Sequence, residues 1–323
     1  MNKKNTNICL VLGGGGFIGS YLCEALLDKG YKVRIFEKTG FDKKNISHMI
    51  NQIEIFEGDF NNVINIRTAL FDIDYIFHSI SSTTPSISME NPIFDIETNL
   101  IPTLSLLHEA LKIKKLKKTF FLSSGGTVYG VPNQIPIPES HSTFPICPYG
   151  IIKNTIEHYF NLYERLFGFK YKIFRLSNPY GERQNPYGNQ GVISVFLNKV
   201  ILDEKIEIWG DGEVIRDYIY IKDVVELLVN SIEIETSNSI YNVGSGVGLS
   251  LNQLISTMKK ITQKSFNVEY RKGRTFDVPT NILDISLAKK DFNWAPTTMI
   301  EEGINLLYQN LRNQNIRKQL VNP

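Results

Sequence analysis

The sequence has few cysteines, no long hydrophobic run and almost no net charge. Cys9, Cys23 and Cys147 are its three cysteines, and their spacing fits neither a metal site nor a disulfide framework. We therefore expect free thiols in a reducing compartment, the cytoplasm, and no bound metal. No stretch approaches the roughly 20 apolar residues of a membrane span. The short apolar start also lacks the length and the cleavage site of a secretory signal.

Neither charge sign predominates. The chain has 323 residues, with 35 Lys and Arg against 33 Asp and Glu, and a net charge of +2. This balance argues against a general affinity for nucleic acid or for an anionic membrane surface. The hydrophobic fraction of 42% is ordinary for a globular protein, and the length allows two domains with adequate cores.

Short apolar runs alternate with helical patterns over the first 180 residues. Strands are predicted at 7–12, 31–38, 53–59, 74–80, 118–124 and within 171–181, and helices at 17–30, 63–71, 92–112 and 149–168. This alternation predicts the α/β class, with a doubly wound parallel sheet covered by helices on both faces.

The pattern changes beyond residue 180, where short mixed elements replace the regular alternation. Two later segments, 216–232 and 239–246, again look regular enough to belong in part to the first layers. We therefore predict a first domain formed by 1–180 and about 216–245. A smaller α/β domain, discontinuous in sequence, would contain 181–215 and about 246–323.

Three glycines form a GxxGxxG pattern where the first predicted strand meets the first helix. Gly13, Gly16 and Gly19 would let the backbone approach a pyrophosphate, and the helix N-terminus would offer N–H groups to the anion. The second strand ends in Glu37, whose carboxylate can accept hydrogen bonds from the ribose hydroxyls of adenosine. It would also repel a 2′-phosphate, so the pattern favours NAD over NADP, although Lys38 is adjacent.

Four other residues are assigned to the same cofactor. Phe17 and Ile18 begin the helix that follows the glycines and would present their backbone N–H groups. Asp59 and Phe60 end the third predicted strand and are candidates for holding the adenine. Together with the glycine turn, they place the expected NAD site at the carboxyl edge of the sheet.

Tyr149 and Lys153 lie four residues apart at the start of a predicted helix. This spacing puts both side chains on one face, one turn apart. A phenol with an ordinary pKa of about 10 is a poor base at neutral pH. A nearby ammonium and the positive ring of an oxidised nicotinamide would lower that pKa. The pair would then suit removal of a proton from a sugar or alcohol hydroxyl.

Several motifs occur together along the chain. They are GGGGFIGS, SSGGTVYG, PYGIIK, RLSNPYG, RDYIYIKD and the late RTFDVP. In combination they resemble the extended short-chain dehydrogenase/reductase family, and within it the nucleotide-sugar 4-epimerases that act on UDP-glucose or UDP-N-acetylglucosamine. The resemblance extends from about residue 8 to residue 305 and implies a Rossmann fold, with NAD in the first domain and the nucleotide sugar in the second.

The resemblance also assigns roles to individual residues. Tyr149 would be the acid/base, and Lys153 would hold the nicotinamide ribose. The residues that match the family's remaining binding positions are Asn99 for the cofactor, and Asn178, Arg216, Arg274, Asp277 and Asn281 for the substrate. In this assignment the two arginines clamp the diphosphate, Asp277 accompanies the second arginine, and position 281 controls the size of the sugar. An asparagine there favours tolerance of N-acetylated sugars.

One position departs from the family pattern. Many members carry Ser or Thr where this chain has Gly125, so the hydroxyl that assists the tyrosine is missing. Ser124 or Thr127 could replace it, and we favour Ser124 because it ends a strand at the ligand-binding edge. The dehydratases and decarboxylases of the family carry acidic residues here, whereas this chain has Gly126 and Thr127. Dehydration is therefore not expected.

The expected reaction is inversion at C4 of a nucleotide-diphosphate hexose through a 4-keto intermediate, in an enzyme of polysaccharide biosynthesis. Tyr149 would remove the 4-hydroxyl proton while the C4 hydride passes to NAD and later returns to the opposite face. The alternative is an NAD(P)H-dependent reductase of a nucleotide-linked 4-keto-6-deoxy sugar.

Apolar residues near 95–112 and 149–168 further predict a homodimer through a four-helix bundle, as in the family.

Overall fold

The computed structural model describes residues 6–188, 190–273 and 278–321. Its strands are β1 (Ile8–Leu12), β2 (Lys32–Glu37), β3 (Ile53–Glu57), β4 (Tyr75–His78), β5 (Lys118–Ser124), β6 (Tyr171–Leu176), β7 (Asn178–Tyr180), β8 (Ile206–Trp209), β9 (Ile215–Tyr220), β10 (Ile240–Val243), β11 (Gly248–Ser250), β12 (Val268–Arg271) and β13 (Thr280–Asn281). Its α-helices are α1 (Phe17–Asp28), α2 (Val63–Ala69), α3 (Pro85–Glu90), α4 (Pro92–Asp95), α5 (Ile101–Ala110), α6 (Pro148–Phe167), α7 (Val192–Ile201), α8 (Ile221–Asn230), α9 (Leu251–Thr262), α10 (Ser286–Phe292) and α11 (Ile300–Val321). A 3₁₀ segment (Lys44–Gln52) precedes β3.

A seven-stranded parallel sheet forms the centre of the fold. Its strand order is β10-β6-β5-β4-β1-β2-β3, and every neighbouring pair is parallel. The chain therefore runs outward from β1 in both directions, which confirms the doubly wound α/β class. In such a sheet the carboxyl ends of the strands share one edge, where ligands bind.

Alternate residues of the central strands enter two separate cores. In β1, Cys9 and Val11 pack on one face, and Leu10 and Leu12 pack on the other. Helices α1 and α8 cover the first face, while α2, α5 and α6 cover the second. Because both faces are buried, these strands are apolar throughout rather than alternating with polar residues.

A second, four-stranded sheet contains β11, β9, β13 and β7. In it β9 pairs with β7 and β13 in parallel and with β11 in the antiparallel direction. The segment after residue 216 thus contributes β9 to this sheet, and α8 and β10 to the central layers. The sequence-based domain bounds themselves stay a prediction.

The predicted helix 92–112 is not continuous. It divides into α4, a π-helical turn (Ile96–Leu100) and α5. Pro102 has no N–H to donate to the carbonyl group of Thr98, which helps to explain the change of hydrogen-bond register. The turn contains Asn99, so the irregularity lies beside a predicted functional residue.

The residues that the structure describes contain neither a membrane-spanning helix nor a metal-binding cluster. None of their helices has the length and apolar character needed to cross a membrane. Likewise, no cluster of His, Cys, Asp and Glu side chains in these ranges could hold a metal ion. Cys9, Cys23 and Cys147 are buried free thiols.

Candidate active site

The glycine turn lies between β1 and α1. Gly13 adopts a φ of +84°, which favours glycine, and its N–H donates to the Phe36 carbonyl oxygen at 3.0 Å. A Cβ atom at Gly19 would lie 2.0 Å from the carbonyl oxygen of Gly13, so only glycine allows the helix to start this close to the turn. No side chain caps α1, whose N-cap residue is Gly16.

Glu37 lies next to this turn at the end of β2. Its Oε1 accepts a hydrogen bond from the N–H of Gly15 at 2.7 Å, and burial raises the pKa of the carboxyl group. Asp59 is exposed after β3, whereas Phe60 is buried and packs its ring against Phe36. The structure therefore brings Glu37 to the glycine turn, with Asp59 and Phe60 directly after the neighbouring strand β3.

These residues fit a dinucleotide. The absence of Cβ atoms lets the backbone come close to a pyrophosphate, and the first N–H groups of α1, at Phe17 and Ile18, have no side-chain cap to compete with it. The carboxylate of Glu37 is placed at the end of the second strand, where a ribose would lie. We propose that they hold NAD.

Tyr149 and Lys153 lie in the first turns of α6, which Pro148 begins. The Tyr149 N–H donates to Ser88 Oγ at 3.1 Å. Lys153 is buried, its Nζ lies 5.7 Å from the centre of the Tyr149 ring, and it donates to the Leu122 carbonyl oxygen at 3.1 Å. The helix thus places the predicted pair beside the end of β5.

The expected lowering of the Tyr149 pKa is not found in the protein alone. Burial raises the pKa of Tyr149 to about 12, and the interactions with Asp95 and Cys147 act in the same direction. A side-chain hydrogen bond with Ser81 opposes them. Burial also lowers the pKa of Lys153 to about 8, against the effect of Asp95. Desolvation dominates here, and the lowering stays a prediction for the NAD-bound protein.

The turn after β5 explains the glycine at position 125. A Cβ atom there would lie 2.6 Å from Leu283 Cδ1 and 3.0 Å from the Arg175 carbonyl oxygen, so a serine or threonine would fit only if the Leu283 side chain shifted. The same turn approaches α6 closely, since a Cβ at Gly150 would lie 2.7 Å from the Thr127 carbonyl oxygen. Gly125 therefore allows close packing and contributes no chemical group.

Two hydroxyl groups remain available in this turn. Ser124 is half-buried at the end of β5. Thr127 Oγ1 is buried and has no hydrogen-bond partner among the described residues. An unpartnered buried hydroxyl costs free energy, so a partner supplied by a bound ligand would satisfy it. Both residues stay candidates for the group that assists Tyr149.

Replacing each hydroxyl separately should identify the one that acts. If Ser124 assists the tyrosine, Ser124→Ala should lower kcat by about 10- to 100-fold, because a hydrogen bond to the reacting oxygen is lost in the transition state. Thr127→Val is the matched control and should change kcat less than threefold. Steady-state kinetics of the two variants decide the matter, and the reverse pattern would assign the role to Thr127.

The described substrate-side residues lie on the second sheet. Asn178 on β7 donates to the Asp217 carbonyl oxygen at 2.8 Å, and Arg216 on β9 donates to the Val278 carbonyl oxygen at 2.6 Å. Asn281 on β13 is buried, and its Nδ2 donates to the Gly125 carbonyl oxygen at 3.0 Å, which joins the second sheet to the turn after β5. Two predicted residues, Arg274 and Asp277, lie outside the described residues.

Asn99 holds the segment after β4. Its Oδ1 accepts the Ser82 N–H at 2.9 Å, and its Nδ2 donates to Asp95 Oδ1 at 2.8 Å. The sequence prediction missed Ser81 and Asp95 near Tyr149. Ser81 could have been found, because a hydroxyl-rich segment directly follows β4 at the ligand-binding edge. Nothing in the sequence marked Asp95, because it lies within the helical pattern predicted for 92–112.

A buried ion pair joins α6, the helix of Tyr149 and Lys153, to β6. Arg175 on β6 and Glu157 on α6 are both buried, with 2.6 Å between Arg175 Nη2 and Glu157 Oε2. Ser123 donates to the same carboxylate, and Arg175 donates to the Tyr129 hydroxyl at 2.9 Å. Tyr129 in turn donates to Asn242 Oδ1 at 2.6 Å. This network ties α6 and the end of β5 to β10, and so holds the helix that carries Tyr149 and Lys153.

The chain matches known enzymes over nearly all of its length. Residues 9–244 match the NAD dependent epimerase/dehydratase family. A protein of Methanocaldococcus jannaschii, provisionally named as a UDP-glucose 4-epimerase, is 36% identical over 309 residues, which cover 95% of this chain and 99% of that protein.

Two other relatives show the range of chemistry. The crystal structure of UDP-glucose 4-epimerase from Thermotoga maritima with UDP-glucose is 34% identical, covers 95% of this chain and 99% of that chain, and has a TM-score of 0.90. A dTDP-4-dehydro-6-deoxyglucose reductase of Escherichia coli is 30% identical over 317 residues, which cover 95% of this chain and 98% of that protein. The resemblance drawn from the motifs is confirmed: the chain belongs to the NAD-dependent epimerase/dehydratase family.

Proposed function

We propose that the protein is an NAD-dependent epimerase that inverts C4 of a UDP-linked hexose. The observation that carries the proposal is the placement of Tyr149 and Lys153 beside the hydroxyl-bearing turn at the ligand-binding edge of the sheet. The relatives that are named as UDP-glucose 4-epimerases support the choice of reaction and of nucleotide.

Tyr149 is the proposed base for the sugar 4-hydroxyl and returns the proton after inversion. When bound, NAD would supply the redox chemistry, that is, reversible acceptance of the hydride from C4 of the sugar. Burial, together with the charge of Asp95, raises the pKa of Tyr149 to about 12, so the phenol is protonated at neutral pH in the protein alone. We propose that the Lys153 ammonium, which donates to the Leu122 carbonyl oxygen, favours the phenolate together with the positive nicotinamide ring once NAD is bound.

The substrate is held far from its reacting carbon. We propose that Arg216 and Arg274 clamp the diphosphate, since planar guanidinium groups suit phosphate oxygens, and that Asp277 accompanies Arg274. Asn178 would contact the phosphate or the sugar. Remote binding of this kind retains the 4-keto sugar and leaves the ring free to present its other face. We propose that the residue at position 281 limits the size of the sugar that the site accepts, since Asn281 contacts Gly125 in the turn after β5.

Incubation with UDP-glucose and no added cofactor tests the proposal. Because the reaction has no net oxidation, we expect UDP-galactose to form with NAD retained from the purification. UDP-N-acetylglucosamine should be tested in parallel. The reductase alternative, which the similarity to the Escherichia coli reductase supports, is tested by incubation with a 4-keto-6-deoxy nucleotide sugar and added NAD(P)H. Stoichiometric consumption of the reduced cofactor, without C4 inversion of either UDP sugar, would contradict the epimerase.

We also propose a homodimer through α5 and α6. Apolar side chains on these helices remain exposed in the single chain, with exposed fractions of 53% for Ile101, 43% for Leu162 and 62% for Leu166. Such surface is typical of an interface.

A reducing compartment, the cytoplasm, is part of the proposal because Cys9, Cys23 and Cys147 are free thiols.

Charges on the proposed interface should separate the subunits. Ile101→Glu combined with Leu162→Glu would bury unpaired carboxylates at the contact, so we expect the mass in solution to fall from dimer to monomer. Met299→Glu is the matched control, since Met299 is 71% exposed directly before α11, a helix that packs against α7 and α9. Light scattering coupled to size exclusion measures the masses. A monomeric parent protein, or a dimeric double variant, would refute this interface.

A further inference from the structure

Asp95 is a buried carboxylate next to the catalytic pair that the sequence left without a role. It ends α4, and its exposed fraction is 1%. Its Oδ1 accepts hydrogen bonds from Thr83 Oγ1 at 2.6 Å and from Asn99 Nδ2 at 2.8 Å. Its Oδ2 is buried with no hydrogen-bond partner among the described residues. Burial of a carboxylate with one bare oxygen is costly unless a positive charge lies near.

The buried Lys153 ammonium is the positive charge on which Asp95 acts electrostatically. Helix α4 packs against α6, which carries both catalytic residues. The Asp95 charge acts on Lys153 more strongly than that of Glu157 does, and it also acts on Tyr149. Lys153 donates to the Leu122 carbonyl oxygen, a neutral acceptor. Of the two carboxylates that raise the pKa of Lys153, Asp95 therefore has the stronger effect.

We propose that Asp95 is a positioning residue of the active site, whose fixed carboxylate keeps Lys153 in its ammonium form beside Tyr149. Thr83 and Asn99 hold one oxygen, so the charge cannot turn away. Asn99 also binds the Ser82 N–H, and this ties the carboxylate to the segment after β4. The role of Asp95 rests on the proposed function of the Tyr149–Lys153 pair.

The carboxylate affects both partners in the same direction. It raises the pKa of Lys153, which burial lowers to about 8, and it raises the pKa of Tyr149 as well. Four other ionisable groups interact with Tyr149 or Lys153. They are Asp95 on α4, Glu157 on α6, Cys147 before α6 and His78 on β4. Of these, Asp95 alone acts as a negative charge on both Tyr149 and Lys153 and has an unpartnered oxygen.

Removing the charge should shift the whole pH profile to lower pH. In Asp95→Asn, we expect the acid limb, which reports Tyr149, and the alkaline limb, which reports Lys153, each to move down by about one pH unit. Activity above pH 8 should then fall by about tenfold relative to the parent protein. Thr83→Val is the matched control, because it removes a hydrogen bond to Asp95 and leaves the charge, so its limbs should stay in place. Asp95→Glu should restore the profile.

A direct titration separates this proposal from the proposed function. In the NAD-bound protein labelled with ¹³Cζ-tyrosine, the Tyr149 signal is assigned by its loss in Tyr149→Phe. Its titration should move to lower pH in Asp95→Asn whether or not any sugar is turned over. Asp95→Ser is the second variant if the asparagine form does not fold. Unchanged titration of Tyr149 in a folded variant, or equal losses of activity at every pH in Asp95→Asn and Thr83→Val, would overturn the proposal.

Discussion

Tyr149→Phe should lower kcat by about 10³-fold, the largest effect expected of any single substitution in this site. The phenylalanine ring fills nearly the same space but cannot accept the proton of the sugar hydroxyl. Lys153 cannot take over, because its Nζ lies 5.7 Å from the centre of the Tyr149 ring and donates toward Leu122. The loss should appear in kcat rather than in KM, since only a transition-state interaction is removed.

Two measurements make this result interpretable. The variant should retain NAD through purification and melt within a few degrees of the parent protein, because the hydroxyl is not part of the core network. Tyr159→Phe, which removes a partly buried hydroxyl further along α6, is the matched control and should leave kcat unchanged. Turnover in Tyr149→Phe within tenfold of the parent would exclude Tyr149 as the base.

Gly19→Ala should abolish retention of NAD and destabilise the fold. The added Cβ would lie 2.0 Å from the Gly13 carbonyl oxygen and 2.8 Å from Gly14 Cα, and these are backbone atoms that cannot rotate away. The start of α1 would have to move from β1, which disrupts the turn proposed to hold the pyrophosphate. Overpacking of this kind costs about 1–3 kcal/mol or more. Thermal melting and the NAD content of the purified protein measure the two effects.

Gly126→Ala provides the comparison for stability. Its added Cβ would meet its nearest atom, Ser124 Oγ, at 3.9 Å, which is ordinary contact. We therefore expect a melting temperature close to that of the parent protein and normal NAD content. If Gly19→Ala retained NAD and melted like Gly126→Ala, the close approach of α1 to the turn would not govern cofactor binding.

The fold was predictable because its signals are local. The residues of β1 and β5 are apolar on both faces, so they read as buried strands, and Gly30 and Gly168 mark the ends of α1 and α6 with positive φ angles. The glycine turn and the Tyr149–Lys153 pair were also visible, since each depends on fixed spacing between neighbours in sequence. Parallel pairing of such strands then follows from their alternation with helices.

The remaining features depend on contacts between distant segments. The pairing of β7 with β9 joins short strands that carry no periodic pattern of their own. The space next to Gly125 is occupied by the side chain of Leu283, which lies far along the chain. The raised pKa of Tyr149 comes from burial by several elements and could not be read from its neighbour Lys153. The role of Asp95 likewise depends on the break between α4 and α5.

The fate of the hydrogen at C4 tests the central claim most directly. UDP-glucose carrying deuterium at C4 would be incubated with the purified protein and no added cofactor, and the products analysed by mass spectrometry and NMR. We predict UDP-galactose that retains the deuterium at C4, because the atom leaves one face of the sugar and returns to the other within a closed site. Inverted product that has exchanged its deuterium for solvent hydrogen would contradict the account, as would the absence of inversion.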